Sequence, residues 1–362
     1  MHISIAAAAR LVSCTALIVA VATCGRAAAE SPAGACGPFG NPPATIIGPV
    51  KPTCGSGELL GPWKDGDGTD RYACLHEPPP VKPGRKLALL VYLHPSLFGT
   101  WTIKHTNLLD LQRTSSLGGG PDSPGFIVLA PQGRNTTHYY QWPDNRGMGW
   151  DNWYRQLSPA GEVKIGKTAY PENVDAATID HFIAEAARTG KVDTRRIYVT
   201  GWSNGAAMGL LYALNRPNVA AVAVYSGPDP FGALIDPCQQ KPVGGAPASN
   251  AEVRIYNPRV PVMNVHNACD IAGICPNDEK LAKKLRAAGV SVEDVIVDSS
   301  GKRVDACMDS CGTDPNGGLE LLHNPTGWFL GLHHHEHWPL EWTRAMLEFF
   351  RAHRLQPAAA PF

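Results

Sequence analysis

A serine between two glycines, in the stretch GWSNG (201–205), is the first candidate for chemistry in this 362-residue chain. The pattern G-x-S-x-G alone is weak, because serines often fall between glycines by accident. Its context is more informative, since the apolar run RIYVTGW (196–202) precedes it and the helix-like run NGAAMGLLYALNR (204–216) follows. A strand, a sharp turn and a helix would lift the hydroxyl above a sheet and aim helical N–H groups at a developing anion. The sequence therefore predicts Ser203 as a nucleophile.

A serine nucleophile needs a base, and the base needs an orienting acid. After a strand–turn–helix nucleophile, the acid and then the histidine follow later in the chain. Asp270 ends the apolar run VPVMNVHNACD (260–270) and is the favoured acid. Asp229, in SGPDP, also follows a strand-like run and is the alternative, although a residue beside Pro230 is more typical of a turn.

The base is expected in a loop before the last helix, where GLHHHEHWP (331–339) supplies several imidazoles. Any one of four histidines could serve: His333, His334, His335 and His337. Clustered imidazoles could also bind a metal, but the chain has neither an H-E-x-x-H helix nor a paired C-x-x-C. The sequence predicts no metal and no cofactor.

The elements that must position these residues alternate along the chain. Continuous apolar runs of strand length, typical of strands buried on both faces, occupy 86–93, 125–133, 196–202, 219–227 and 260–270. Runs with helical spacing occupy 174–188, 204–216, 277–290 and 339–354. This alternation predicts an α/β domain with a mostly parallel sheet covered on both faces.

The first 29 residues have the three-part pattern of a secretory signal. One arginine precedes a short apolar run, and a small-residue cleavage site ends at Ala29. A packed N-terminal helix and lipidation at Cys24 are the alternatives. We expect a lead-in rich in cysteine and proline over 30–80, with an early hairpin, and a catalytic domain over 81–362.

Removal of the signal leaves eight cysteines, an even number that predicts disulfides in an exported chain. They are Cys36, Cys54, Cys74, Cys238, Cys269, Cys275, Cys307 and Cys311. The connectivity cannot be assigned from sequence, but the close pairs Cys269/Cys275 and Cys307/Cys311 suggest local staples.

The charge balance excludes one class of partner. Lys plus Arg equals Asp plus Glu, so the formal net charge is zero and no basic stripe for nucleic acid is present. The apolar run near the N-terminus is too short for a comfortable membrane span. The sequence does not indicate an oligomeric state.

Four stretches together resemble the secreted esterases that include polyhydroxybutyrate depolymerases, feruloyl esterases and acetylxylan esterases. The stretches are LVYLHPS (90–96), GWSNGAAMG (201–209), HNACDIAGICP (266–276) and HEHWP (335–339). The resemblance covers roughly residues 86–354. It implies an α/β-hydrolase fold with a mostly parallel central sheet and helices on both faces, and an acyl-enzyme mechanism without a cofactor.

The resemblance also assigns roles, with two departures. Backbone N–H groups of Ser96 and Asn204 would form the oxyanion hole, because Pro95 replaces the glycine of the family's L-H-G and has no N–H. The family's H-x-W-P spacing falls on Glu336, so the base is either His335, which we favour, or His337. The resemblance thus implies Ser203, Asp270 and His335 as the catalytic residues.

Aromatic residues are dense in YYQWPDNRGMGWDNWYR (139–155), and Trp202 adjoins the nucleophile. Substrate contacts are expected from Trp150, Trp153, Tyr154 and Trp202, with ordinary loop packing as the alternative. We expect a small-molecule or oligomeric ester substrate: a polyhydroxyalkanoate oligomer, or a feruloyl or acetyl ester of a polysaccharide. A serine peptidase of the same fold, or an exported binding protein without catalysis, is the alternative function.

Overall fold

A nine-stranded sheet organises the part of the chain that the computed structural model describes. The described residues are 50–66, 68–79, 84–117, 125–140, 145–150, 163–165, 168–170, 173–230, 235–236, 241–242, 255–271, 274–308, 311 and 324–355. The predicted signal and most of the predicted lead-in lie outside them.

The sheet consists of β1 (Glu58–Lys64), β2 (Asp70–His76), β3 (Leu87–Leu93), β4 (Ile127–Pro131), β9 (Val192–Trp202), β10 (Ala221–Tyr225), β13 (Val262–Asn267), β14 (Val292–Val297) and β15 (Arg303–Val304), numbered along the chain. Across the sheet their order is β1-β2-β4-β3-β9-β10-β13-β14-β15. The six central strands, β4, β3, β9, β10, β13 and β14 in sheet order, pair in parallel. Strands β1, β2 and β15 add antiparallel edges. The mostly parallel sheet and the early hairpin were both predicted from the sequence.

Three two-stranded ribbons lie outside the main sheet. They are β5 (Arg134–Tyr140) with β6 (Asn145–Gly149), β7 (Val163–Ile165) with β8 (Thr168–Tyr170), and β11 (Ile235–Asp236) with β12 (Lys241–Pro242).

Helices cover both faces of the sheet. In chain order they are a 3₁₀ helix (Thr100–His105), α1 (Leu108–Leu111), α2 (Val174–Arg188), α3 (Asn204–Ala213), α4 (Ile274–Ala287), α5 (Pro325–His335) and α6 (Leu340–Ala352). Apolar residues of α2, α3 and α4 form one core cluster with one face of the sheet. The 3₁₀ helix, α1 and α6 pack on the opposite face, as expected for a parallel sheet buried on both sides.

Local sequence explains where α2 begins and which way it faces. The Asn173 side chain caps it by accepting hydrogen bonds from the N–H groups of Asp175 (3.0 Å) and Ala176 (2.9 Å). Apolar residues recur every three or four positions, and Ile179 and Phe182 are fully buried. Helix α3 is buried on all sides, which its uniformly apolar sequence allows.

The disulfides differ from the predicted local staples. Cys269 is bonded to Cys311 and Cys275 to Cys307, so the two close pairs are joined to each other across 42 and 32 residues. The staple prediction was wrong because the segments carrying these pairs lie side by side, with the Met308 N–H donating to Ala268 O at 2.8 Å. A third disulfide joins Cys54 to Cys74. Cys36 and Cys238 lie outside the described residues.

Within the described part of the chain, no helix is both long and apolar enough to cross a membrane.

Candidate active site

Ser203 occupies a strained turn between β9 and α3. Its φ of 57° and ψ of −122° are rare for any residue with a Cβ atom. The turn is held by the Ser203 N–H, which donates to Tyr225 O on β10 at 3.0 Å, and by Ala206 and Ala207, whose N–H groups donate to Ser203 O. The predicted strand–turn–helix arrangement is therefore present.

The two flanking glycines are required by close backbone contacts. A Cβ atom on Gly201 would lie 2.2 Å from Gly205 O, and one on Gly205 would lie 2.2 Å from Leu93 O. The second contact also shows that the start of α3 packs directly against the end of β3. It places Leu93 and His94, at the end of β3, against the first turn of α3, two residues after the serine.

A continuous chain of hydrogen bonds links three of the predicted residues. His335 Nε2 lies 2.8 Å from Ser203 Oγ, and His335 Nδ1 lies 2.8 Å from Asp270 Oδ1. The Asp270 side chain is fully buried, whereas 13% of the His335 side chain is exposed. Because a carboxylate only accepts, Nδ1 carries the proton and Nε2 presents its lone pair to the serine hydroxyl.

His335 reaches this position from a helix, so the expected loop was wrong. Helix α5 begins at the Asn324 cap, whose side chain accepts from the Gly327 N–H at 3.0 Å, and His335 lies in its last turn. Side chains satisfy two of its terminal carbonyls: Trp202 Nε1 donates to His335 O at 2.9 Å, and the Tyr225 hydroxyl donates to His334 O at 3.0 Å. A helix C-terminus favours a cation, so this position stabilises an imidazolium.

The other histidines of this segment have different partners. His334 Nδ1 lies 3.1 Å from Cys269 O, and His337 Nδ1 contacts His333 O. Burial lowers the pKa of His333, and the neighbouring imidazoles His337 and His334 add to the effect. Among the described residues, no group of His, Cys, Asp or Glu is arranged to hold a metal ion.

Asp229, the alternative acid, forms an ion pair with Lys284 of α4 at 2.7 Å. Its carboxylate therefore serves a different contact from that of Asp270.

Ser226 is a residue of the site that the sequence analysis did not identify. It follows β10, is fully buried, and has a φ of 55°. Its Oγ makes a short contact with Asp270 Oδ2 and lies 2.9 Å from His335 Nδ1. The signal that could have indicated Ser226 is its position near the end of the apolar run 219–227, which follows the nucleophile strand and helix in the chain.

The loop after β3 is anchored by a buried imidazole. His94 Nε2 accepts from the Gly133 N–H at 2.9 Å, and His94 Nδ1 donates to Pro95 O at 2.8 Å. Burial lowers the pKa of His94 to about 4, so the ring is neutral at neutral pH. The Gln132 side chain adds a contact to His94 Nε2 at 3.2 Å and accepts from the Thr100 N–H at 3.0 Å.

Two tryptophans expected to contact substrate are instead buried. Trp150 is fully buried, and its indole N–H donates to His94 O at 2.8 Å. Trp202 is 6% exposed and packs 6.0 Å from Trp338 between ring centroids while capping α5. Both rings hold residues around the serine in place, because their indole N–H groups donate to the carbonyl groups of His94 and His335. Trp153 and Tyr154 lie outside the described residues.

Of the two amides expected to bind an oxyanion, that of Asn204 directly follows the serine in the chain. The Asn204 N–H is the first of α3 and so has no acceptor within the helix. The Asn204 side chain is occupied, since its Oδ1 accepts from the Trp150 N–H at 2.7 Å. Ser96 is partly exposed in the loop anchored by His94.

Comparison with known proteins identifies the fold. No protein-family model matches the chain. The S-formylglutathione hydrolase of Agrobacterium tumefaciens is similar in structure with a TM-score of 0.50, over 85% of this chain and 99% of that one, at 10% sequence identity. The chain has the α/β-hydrolase fold.

Two further solved structures show weaker similarity. A thermostable esterase has a TM-score of 0.46 at 20% identity, with 83% of this chain covered and 64% of that chain. The acylaminoacyl peptidase of Pyrococcus horikoshii has a TM-score of 0.44 at 14% identity, with 84% of this chain covered and 43% of that chain. The chain thus spans less than two thirds of the length of each.

Proposed function

We propose that the protein is a serine hydrolase that cleaves carboxylic esters with Ser203 as nucleophile, His335 as base and Asp270 as orienting acid. The observation that carries the proposal is the pair of 2.8 Å hydrogen bonds that join Ser203 to His335 and His335 to Asp270. A strained turn, a buried acid and a partly exposed imidazole are what an activated serine requires.

In the first half of the reaction, Ser203 Oγ attacks the ester carbonyl as His335 Nε2 takes its proton. The carbonyl π electrons move to oxygen, and the N–H groups of Asn204 and Ser96 hold the resulting oxyanion, each worth about 3 kcal/mol of barrier. The tetrahedral intermediate collapses, the C–O bond to the alcohol breaks, and His335 returns the proton to the leaving oxygen. The acyl group remains on Ser203.

In the second half, water repeats the sequence. His335 takes a proton from water as the water oxygen attacks the acyl carbon, and Ser203 leaves with that proton while the acid is released. Asp270 keeps the Nδ1 proton in place throughout and stabilises the imidazolium. The C-terminus of α5 adds to this stabilisation.

The substrate class follows from the resemblance noted in the sequence. We propose soluble esters or oligomers: polyhydroxyalkanoate oligomers, or feruloyl or acetyl esters of polysaccharides. We also propose that the protein is exported. Three disulfides in the described residues support this, because such bonds persist in oxidising compartments.

The test is hydrolysis of p-nitrophenyl acetate by the purified protein and by Ser203→Ala. We expect activity in the wild type and a loss of roughly 10⁴-fold or more in the variant at an unchanged melting temperature. Ser291→Ala, at an exposed serine outside the site, is the matched control and should keep full activity. Activity of Ser203→Ala above a tenth of the wild-type value would rule out the proposed nucleophile.

A parallel assay separates the alternatives. Matched p-nitrophenyl ester and p-nitroanilide substrates with the same acyl group compare ester with amide cleavage. Faster turnover of the anilide would favour a peptidase. A folded protein that cleaves neither substrate and is not labelled by a fluorophosphonate would instead be a binding protein.

A further inference from the structure

Two serines at the ends of adjacent parallel strands contact the two nitrogens of one imidazole. Ser203 follows β9 and lies 2.8 Å from His335 Nε2, while Ser226 follows β10 and lies 2.9 Å from His335 Nδ1. Both have positive φ, 57° and 55°, which is uncommon for residues other than glycine. The first strained serine is the proposed nucleophile, and nothing in the proposed mechanism yet uses the second.

The strained backbone of Ser226 indicates that its side chain is needed at this position. A glycine would adopt a φ of 55° freely, whereas a residue with a Cβ atom is disfavoured there. The next residue, Gly227, must be glycine for a different reason, since its Cβ atom would lie 2.6 Å from Ala206 Cβ. The turn thus keeps a hydroxyl at a position where backbone conformation alone would favour glycine.

The proton positions follow from the partners. Asp270 Oδ2 can only accept, so the Ser226 hydroxyl donates to it. The Ser226 oxygen is then free to accept from His335 Nδ1–H, which is shared between Ser226 Oγ at 2.9 Å and Asp270 Oδ1 at 2.8 Å. Three groups close a ring of hydrogen bonds in which each fixes the orientation of the next.

We propose that Ser226 is a positioning residue of the active site, which fixes the plane of the Asp270 carboxylate and holds the proton of His335 on Nδ1. Its own backbone is anchored for this purpose, because the Ser226 N–H donates to Val265 O of β13 at 2.9 Å. Strand β13 leads to Asp270, so the serine and the acid are tied to the same strand. The proposal rests on the proposed function of the His335–Asp270 pair.

The first test separates kcat from KM. Ser226→Ala and Ser226→Gly both remove the hydroxyl, but only the glycine variant also relieves the positive φ. In each we expect kcat to fall by about 10- to 100-fold, the effect of losing one hydrogen bond to a charged group. KM should change by less than about twofold, because Ser226 is buried behind the imidazole and loss of a transition-state interaction acts on kcat.

The matched control is Thr200→Val. Thr200 is a buried residue of the neighbouring strand β9, and its hydroxyl has no hydrogen-bond partner among the residues that the structure describes. Its replacement removes a buried hydroxyl near the site without breaking a contact, so kcat should remain at the wild-type value. Melting temperatures of all variants separate loss of rate from loss of fold. Equal kcat for wild type and both Ser226 variants overturns the proposal.

The second test does not depend on activity. In ¹⁵N-histidine-labelled protein, the His335 Nδ1 proton should resonate downfield of the amides, and His335→Ala identifies it by its disappearance. The Ser226 variants should shift or broaden this resonance, whereas Thr200→Val should leave it unchanged. An unaltered resonance in both Ser226 variants refutes the positioning role even if the protein hydrolyses no ester. If the wild type shows the resonance and the Ser226 variants shift it, but the wild type hydrolyses no ester, the proposed function alone is refuted.

Discussion

Two imidazoles near Ser203 have opposite surroundings. His94 is fully buried, and this burial lowers its pKa to about 4, while its two ring nitrogens contact the Gly133 N–H and Pro95 O. His335 is partly exposed and lies beside a carboxylate and a helix C-terminus, both of which favour a positive charge. The first ring is suited to holding a loop in place, and the second to exchanging protons.

The different contacts of His335 and His337 predict different effects when each is replaced. His335→Ala should lower kcat by several orders of magnitude, since only oxyanion and binding contributions then remain. His337→Ala should keep most of the rate, because His337 contacts His333 rather than Ser203 or Asp270. Steady-state kinetics on p-nitrophenyl acetate measures both. An inactive His337→Ala beside an active His335→Ala would transfer the role of base to His337.

At the scale of elements, α5 is the part whose placement matters most. The helix approaches the acid so closely that a Cβ atom on Gly331 would lie 2.9 Å from the Asp270 carbonyl carbon. Contacts from Trp202, Tyr225 and the Cys269 carbonyl fix its last turn. The proposed base and the proposed acid are therefore positioned by one helix–loop contact.

Gly331→Ala should displace α5 from Asp270 and lower kcat by about tenfold or more, because small misplacements of a catalytic group have large effects on rate. Alanine is otherwise a better helix former than glycine, so helix propensity does not predict the loss. Phe329→Ala, at a residue that is 41% exposed on the same helix, is the control and should be active. A Gly331→Ala variant with wild-type kcat would show that the helix can adjust without moving His335.

Strands and the nucleophile turn were predictable because their signals are local. Parallel strands buried on both faces read as continuous apolar runs, and the residues around Ser203 carry both the strand and the helix pattern. The acid was also placed correctly after a strand, at the end of β13. The assignment of its role, like that of His335, stays a prediction.

Other features depend on contacts between distant segments. The sequence of α5, rich in histidine and interrupted by Gly331, reads as a loop until its packing against Asp270 is known. Ser226 looks like a turn residue until β10 and β13 are aligned. The pairing of Cys269 with Cys311 requires knowledge of which loops are neighbours.

At the scale of the whole molecule, a buried carboxyl affects stability. Asp278 of α4 is fully buried, and neither of its oxygens has a hydrogen-bond partner among the described residues, with the Asn264 amide nearby but outside hydrogen-bond geometry. Burial raises its pKa well above the ordinary value, and nearby carboxylates raise it further. The charged groups around it are Asp294 of β14, Asp270, and Asp229 with its partner Lys284; His266 of β13 pairs with Asp294.

Asp278 should make the fold less stable as pH rises. Above its ordinary pKa of 3.8 the unfolded chain releases the proton, whereas the folded protein keeps it, so the free energy of unfolding falls with pH. His94 acts in the opposite sense, because its pKa is about 4 in the folded protein against 6.5 in the unfolded chain. Acidification through this window therefore lowers the free energy of unfolding by about 3 kcal/mol. In the wild type the two effects offset each other between about pH 4 and 6.5.

Asp278→Asn should therefore gain stability over the wild type, and the gain should increase from pH 5 to pH 8. Urea denaturation at several pH values measures it, with Glu279→Gln, the next residue of α4, as the control for removing one negative charge. The variant should also expose the His94 effect as a free energy of unfolding that rises between about pH 4 and 6.5. A gain that is constant with pH, or a loss at pH 8, would contradict the prediction.

The bond between Cys269 and Cys311 makes the acid's position dependent on thiol chemistry, because Cys269 directly precedes Asp270. A chain with reduced cysteines would still build the serine turn, which needs only β9, β10 and α3, but would lack this tether on the carboxylate. The proposed hydrolytic activity should then be lower in the reduced chain than in the oxidised one. Titration with dithiothreitol should lower the activity of the wild type toward that of a Cys269→Ser/Cys311→Ser variant. The control Cys54→Ser/Cys74→Ser, which removes a disulfide remote from the acid in sequence, should lose stability and keep its rate. Equal activity of reduced and oxidised protein would remove this link between redox state and function.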